Sequence, residues 1–306
     1  MKKLLLLLAL LALVSPIHAF ERVQVGDNIY ALVGELTQRS AQNLGNNMTV
    51  GFIVTGDGVV VIDSGGSRLG AEAIHAAIRE VTDKPVTWVI NSGGQDHKWF
   101  GNEYFIEQGA RTIASEKARQ DMQNRRGEQI SRSKTYLKEK FAGTNPTLPQ
   151  TTFAERHRLP VEGIRIELIF AGGGHTPGDI LVWLPDQSIL FSGDTVYVQR
   201  LLGVRPGTGL QWIRSLEYIR DNLKPRVVVP GHGHVTDLDE ALRDTYDYLV
   251  MLRDHATRQF NEGAFDPVEA TEGLDQSRFS YLQNYSDLPF RSRNALNMAT
   301  EVYENQ

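Results

Sequence analysis

The chain of 306 residues has no cysteine at all. That absence excludes both a disulfide framework and a lipid anchor on a cysteine. Long apolar runs are scarce too. The stretch from Leu4 to Val14 holds eleven apolar residues, short of the roughly 20 that a helix needs to cross a hydrocarbon core of about 30 Å. Lys2 and Lys3 precede it and Ser15, Pro16 and Ala19 follow, the pattern of a secretory signal peptide, with cleavage expected after Ala19 and an uncleaved anchor as the alternative. The mature protein is therefore expected to be exported to the periplasm, with no stable membrane span. A surplus of positive charge is also missing. With 32 Lys and Arg against 37 Asp and Glu, the formal net charge is −5, which argues against a nucleic-acid partner. An exported chain without disulfides depends on its own core, and this one is long enough to build it.

What is present is an alternation of strand and helix patterns. The stretch VGFIVTGDGVVVIDSGG places Asp57 and Gly58 between two β-branched runs, a hairpin signal. Ala73, Ile74, Ala77, Ile78 and Val81 follow at helical spacing, and TWVINS returns to strand character. Later, IRIELIFAGG, ILVWLP, SILFSGD and RVVVPG read as strands, with LQWIRSLEYIRDNL as an amphipathic helix. The pattern predicts two αβ halves, a sandwich of sheets covered by helices. Residues 111–140, with nine basic and four acidic residues, read as a polar helix, either solvated or a lid that attracts an anionic substrate. Leu242, Tyr246, Leu249 and Leu252 mark a further helical face. The expected division is a signal peptide over 1–19, one main domain over 20–236 and a helical extension of that domain over 237–306.

Four segments carry the chemistry: INSGGQDHKWFGN, AGGGHTPGD, LFSGDTVY and VVPGHGHV. Each sets acidic or imidazole groups directly after a strand, beside glycines that let backbone approach a ligand. Asp96, His97, His175, Asp194 and His232 supply the nitrogen and oxygen donors that suit zinc or iron. Trp99 and Phe100 are expected to pack beneath the loop. The run Gly172, Gly173, Gly174 lacks the Lys-Ser/Thr pair of a phosphate-binding loop.

In this order the motifs resemble the metallo-β-lactamase fold superfamily over roughly residues 22 to 235. Asp63 in VVVIDSGG matches its strand-end Asp, His175 its Gly-rich loop, Asp194 its later strand-end Asp and His232 its late Gly-His. The resemblance implies a four-layer αββα metallo-β-lactamase sandwich, here with a C-terminal helical extension. It also exposes a departure. When Asp96 and His97 are aligned with the end of the H-x-H-x-D-H motif, Ser92 and Gly94 stand where the family has its first two histidines. The first metal site then keeps only His175 and a share of Asp194. The second keeps Asp96, His97, Asp194 and His232, so the resemblance implies one Zn2+ per chain, with iron as the alternative and a second metal doubtful. Asp63 is expected to orient the metal loop rather than ligate. His234 is a possible extra ligand in the same sense, two residues beyond His232.

The function implied is a metal-dependent hydrolase acting on a small molecule. A bound ion brings the pKa of its water toward about 7 and so favours attack on an ester, thioester or amide carbonyl, with Asp96 as the group that orients that water. The alternatives are a non-catalytic binding protein on a degenerate hydrolase fold, a β-lactamase and an iron-dependent oxygenase. Oligomeric state is not legible in the pattern.

Overall fold

The structure, a computed structural model, describes residues 20–305; the expected signal peptide lies outside them. Short β-branched runs ended by Gly, Asp and Asn become strands. In the first sheet, β1 (Glu21–Gly26), β2 (Ile29–Val33), β3 (Val50–Val54), β4 (Val59–Ile62), β5 (Val86–Ile90), β6 (Arg111–Ser115) and β7 (Thr151–Phe153) lie side by side in chain order. The first four are antiparallel, with the hairpin at Asp57 and Gly58 joining β3 to β4. From β4 to β7 the strands are parallel and need crossovers. Helix α1 (Arg68–Arg79), the short α2 (Asp96–Trp99) with α3 (Asn102–Glu107), and α4 (Glu116–Leu137) supply them.

The second sheet runs β12-β11-β10-β9-β8, from β8 (Arg156–Arg158), β9 (Glu167–Ile169), β10 (Leu181–Leu184), β11 (Ile189–Tyr197) and β12 (Val227–His232). Its β11 and β12 are parallel, joined through α5 (Gly209–Tyr218). The chain ends in α6 (Leu238–Ala241), α7 (Asp247–Asn261) and α8 (Leu288–Glu304).

Alternation along β4 separates the layers. Val60 and Ile62 face the second sheet and meet Leu168, Val182, Ile189 and Val229. Val59 and Val61 face outward onto Ile74 and Ile78 of α1 and Phe105 of α3. On the far side, Leu181, Trp183 and Leu190 pack against Trp212, Leu249, Leu252 and Met298 of α5, α7 and α8. The result is a four-layer αββα sandwich with a C-terminal helical extension.

Two details differ from the sequence reading. Residues 111–115 form β6 rather than the start of a helix, because Thr112, Ile113 and Ala114 are buried between β5 and β7. Ser115 then caps α4, its hydroxyl accepting from the Ala118 amide. The helical pattern beginning at Leu238 is divided by a π-helical turn, Leu242–Tyr246. The tail is joined to the body at α5: the Glu301 carboxylate accepts from the amides of Gly209 and Leu210, satisfying donors that a helix start leaves free.

Candidate metal centre

The motif residues meet beyond the ends of β4 and β5, within β11 and at the end of β12. Asp63 follows β4 with φ 72°, a left-handed conformation that a non-glycine residue adopts only under constraint from its surroundings. The constraint is visible: its carboxylate accepts from the Ser92 amide at 2.7 Å and from the Ser92 hydroxyl at 2.7 Å. Asp63 thus fixes the loop after β5, which continues into α2 and presents Asp96, His97 and Lys98. Asp194 lies within β11 and His232 closes β12.

His97, Asp194 and His232 form a group whose ligand atoms all lie within 4.8 Å of one another, each of them buried. Nε2 of His97 is 3.2 Å from Oδ2 of Asp194, and Nε2 of His232 is 3.5 Å from Oδ1. Nδ1 of His232 donates to the Asn47 carbonyl at 2.8 Å, which leaves its Nε2 lone pair directed at Asp194. Burial pushes the His232 imidazole well below its usual range, so it is neutral, as a ligand must be. Oδ1 of Asp194 is buried and lies between Nε2 of His232 and the ammonium of Lys98, which stands 3.0 Å away. A buried carboxylate between two imidazoles offers the donor set of one divalent ion with three protein ligands and an open position.

The remaining candidates are engaged elsewhere. The Asp96 carboxylate accepts from Arg39 at 2.8 Å and from Ser133 at 3.2 Å. Burial would raise its pKa, but the Arg39 guanidinium and His97 outweigh this and hold it below the usual carboxylate range. Nδ1 of His175 donates to the Gly203 carbonyl at 2.8 Å, and its Nε2 accepts from the Gln95 amide at 2.8 Å. Burial, then the nearby Arg205, push its pKa down to about 3. His234 pairs with Glu240 at 2.9 Å, outside the group. Trp99 and Phe100 are packed in a core cluster with Ala118, Met122 and Leu137 beneath α4.

Other groups fill the space where the resemblance places a first metal site. The Ser92 hydroxyl is bound to Asp63, and a Cβ on Gly94 would collide with the Asp121 carboxylate. Arg125 and Gln129 of α4 both donate to the Gly94 carbonyl, at 3.2 and 2.8 Å. Arg125 and Arg205 converge on Oε1 of Gln95 at 3.0 and 3.2 Å. The polar helix after β6 therefore covers the site with Arg125, Gln129 and Ser133.

Lys98 is fully buried beneath this layer, its Nζ 3.1 Å from Oδ2 of Asp63 and 3.0 Å from Oδ1 of Asp194. Burial opposes its charge, but Asp194 and Asp63 outweigh that and raise its pKa. Asp194 shows the reverse: burial acts upward, while Lys98, His97 and His232 hold it well below the usual range. Unit charges about 4 Å apart interact by about 4 kcal/mol at an effective dielectric of about 20. Lys98 thus offsets part of the long-range pull that Asp63 and Asp194 together exert on a cation, so the short bonds to His97, Asp194 and His232 carry more of the work of holding it. Arg39, Gln95, Lys98 and Arg125 escape motif reading, because long cationic and amide side chains are ordinarily solvated. Lys98 had one signal, its place between His97 and the buried pair Trp99 and Phe100.

Comparison with known proteins gives the same family. Residues 46–232 match the family model of the Metallo-beta-lactamase superfamily. A linear primary-alkylsulfatase of Pseudomonas sp. is 22% identical over 254 residues, 71% of this chain and 48% of that enzyme. Among solved structures, a stereoselective inverting sec-alkylsulfatase from Pseudomonas sp. superposes with a TM-score of 0.71 at 17% identity, over 93% of this chain and 50% of that one. A metallo-beta-lactamase from Pontibacter korlensis gives 0.55 at 23% identity, over 76% of this chain and 99% of that one. The chain spans about half the length of both alkylsulfatases. With the motif residues gathered in order at the strand ends of an αββα sandwich, and a family model that spans more than half of the 306 residues, this chain belongs to the metallo-β-lactamase superfamily.

Proposed function

We propose that the protein is an exported hydrolase that works with a single metal ion, zinc before iron, on a small molecule. The observation that carries this reading is the buried group of His97, Asp194 and His232, whose ligand atoms lie within 4.8 Å of one another. An ion there would supply Lewis-acid polarisation and a water of lowered pKa. The chain's own residues define the rest. Asn47 keeps His232 in one tautomer, Asp63 holds the loop that presents His97, and Asp96 is the carboxylate assigned to orient water once Arg39 releases it. Asp96 and His175 would serve as further ligands only if Arg39 and Gln95 moved aside. Arg125 and Arg205, converging above Gln95, favour a substrate with an anionic group next to the bond that is cut. Esters, thioesters and amides head the substrate panel, and the alkylsulfatase likeness adds sulfate esters and the lactamase likeness β-lactams.

The test is elemental analysis of the purified mature protein after incubation with zinc or iron and removal of free ion, followed by that panel. About one ion per chain, lost in His97→Ala together with any turnover, supports the reading; no ion at all would overturn it. A second reading, a binding protein without turnover, is favoured by one observation: Arg39 and Lys98 already neutralise two of the three carboxylates at the site. It predicts that substrate analogues bind in the presence of a chelator.

A further inference from the structure

We propose that Lys98 is a resident monovalent cation that does the charge-balancing work of a second metal ion, bridging Asp63 and Asp194. The proposal rests on the single-ion reading only for where that ion sits. Its own support is geometric. The ammonium is fully buried, and its nitrogen stands 3.1 Å from one carboxylate and 3.0 Å from the other, as an ion shared by two carboxylates would. Both approaches are at hydrogen-bonding distance, so two carboxylates hold the ammonium at once by charge-assisted contacts.

The charge count at the centre agrees. Counted over the direct ion pairs alone, Asp63, Asp96 and Asp194 face Arg39 and Lys98, three negative charges against two positive, which leaves one net negative charge, and the nearby Arg200 and Arg205 add positive charge. One divalent ion turns that to one net positive, whereas two would give three, in a buried site where unbalanced charge is costly. The surroundings of the missing histidines fit the same account. Ser92, in place of an imidazole, donates to the very oxygen of Asp63 that Lys98 approaches. The space beyond Gly94 is filled by Asp121, which Arg125 holds at 2.6 Å. The loop has been reorganised around a lysine, so the number of ions is set by Lys98 as well as by the ligands. Asp194 then faces His97 with Oδ2 and Lys98 with Oδ1, a carboxylate shared between an ion position and a fixed ammonium.

The experiment is zinc titration by calorimetry, with elemental analysis, on the mature chain carrying Lys98→Met or Lys98→Arg. Removing a like charge a few ångströms from the ion is expected to tighten zinc binding by at least about tenfold in Lys98→Met, while Lys98→Arg keeps the parent affinity and stoichiometry. If the parent holds no zinc but Lys98→Met does, the role of Lys98 stands and the single-ion reading of the parent falls. A folded Lys98→Met with the parent's affinity and stoichiometry, whether that is one ion or none, would overturn the proposal. Should Lys98→Met not fold, Asp63→Asn with Lys98→Met removes both members of the buried pair and carries the same test: tighter zinc than the parent supports the proposal and equal affinity overturns it.

Discussion

Nη1 of Arg39 donates to Nδ1 of His97 at 2.8 Å, which fixes that nitrogen as an acceptor and places the ring proton on Nε2, facing Asp194. For Nε2 to bind an ion, the proton has to leave it and Nδ1 must become the protonated nitrogen, a position then opposed by the guanidinium. Arg39 and the ion therefore compete. Arg39→Met is expected to bind zinc about tenfold more tightly, and to lose roughly 3 kcal/mol of stability in chelator because Asp96 is left as an unpaired buried charge. Thermal unfolding with and without zinc measures both. A zinc-induced shift equal to that of the parent would show that Arg39 and the ion do not compete.

The two late histidines separate cleanly by geometry. His232→Ala removes a buried nitrogen directed at Asp194 and should weaken zinc binding by about a hundredfold or more, beyond the range seen for supporting groups around a metal. His234→Ala breaks only a partly exposed pair with Glu240 and should leave the ion bound. Comparable loss in both, read by elemental analysis after dialysis, would put His234 into the ligand set.

Introducing histidine at both Ser92 and Gly94 is expected to leave zinc at one per chain while Lys98 is present. Position 94 is blocked by Asp121 and position 92 is tied to Asp63. Two ions bound by this double variant, measured in the same way, would mean that the loop opens more readily than its hydrogen bonds imply.

Asp179 gives a pH signature. Burial, reinforced by Asp194, pushes its carboxyl up to about 7, against the hydrogen bonds from Thr176. A raised folded-state pKa favours the protonated form, so the unfolded chain releases this proton near the ordinary carboxylate pKa and the folded chain only near 7. The stabilising contribution is complete at acid pH and is lost as pH rises from about 4 to about 7. Asp179→Asn should remove about one proton from the pH dependence of unfolding in that window, measured by denaturant titration at a series of pH values. Parallel curves for the two proteins would refute the assignment.

The tail supplies the last prediction. Glu301→Ala leaves two amides at the start of α5 without their carboxylate, and the loss of such a cap costs about 1 kcal/mol. A single unfolding transition, shifted to lower temperature, would show the extension and the sandwich unfolding as one unit. A new early transition would show that the extension unfolds by itself.

Much of this was legible along the chain. The two β-branched runs on either side of Asp57 and Gly58 and the helical spacing from Ala73 to Val81 reported their own burial, since each pattern depends only on near neighbours. Asp63, Asp194 and His232 were readable because each stands at or just beyond an apolar run, and the missing imidazoles at Ser92 and Gly94 emerged from the resemblance to the family's motif. The strand over 111–115 was not, because its polar ends mask a buried centre that only its neighbours β5 and β7 create.

By itself, the sequence determined the sandwich and the positions of its metal-ligating residue types. Only the tertiary structure decided which of those residues meet. It set Arg39 against Asp96, 57 positions away, Gln95 against His175, 80 positions away, and the buried Lys98 between Asp63 and Asp194. The reason is physical: a ligand type is a property of a residue, but its availability depends on which charges burial places beside it, and Coulomb attraction in a desolvated site acts across space regardless of distance along the chain.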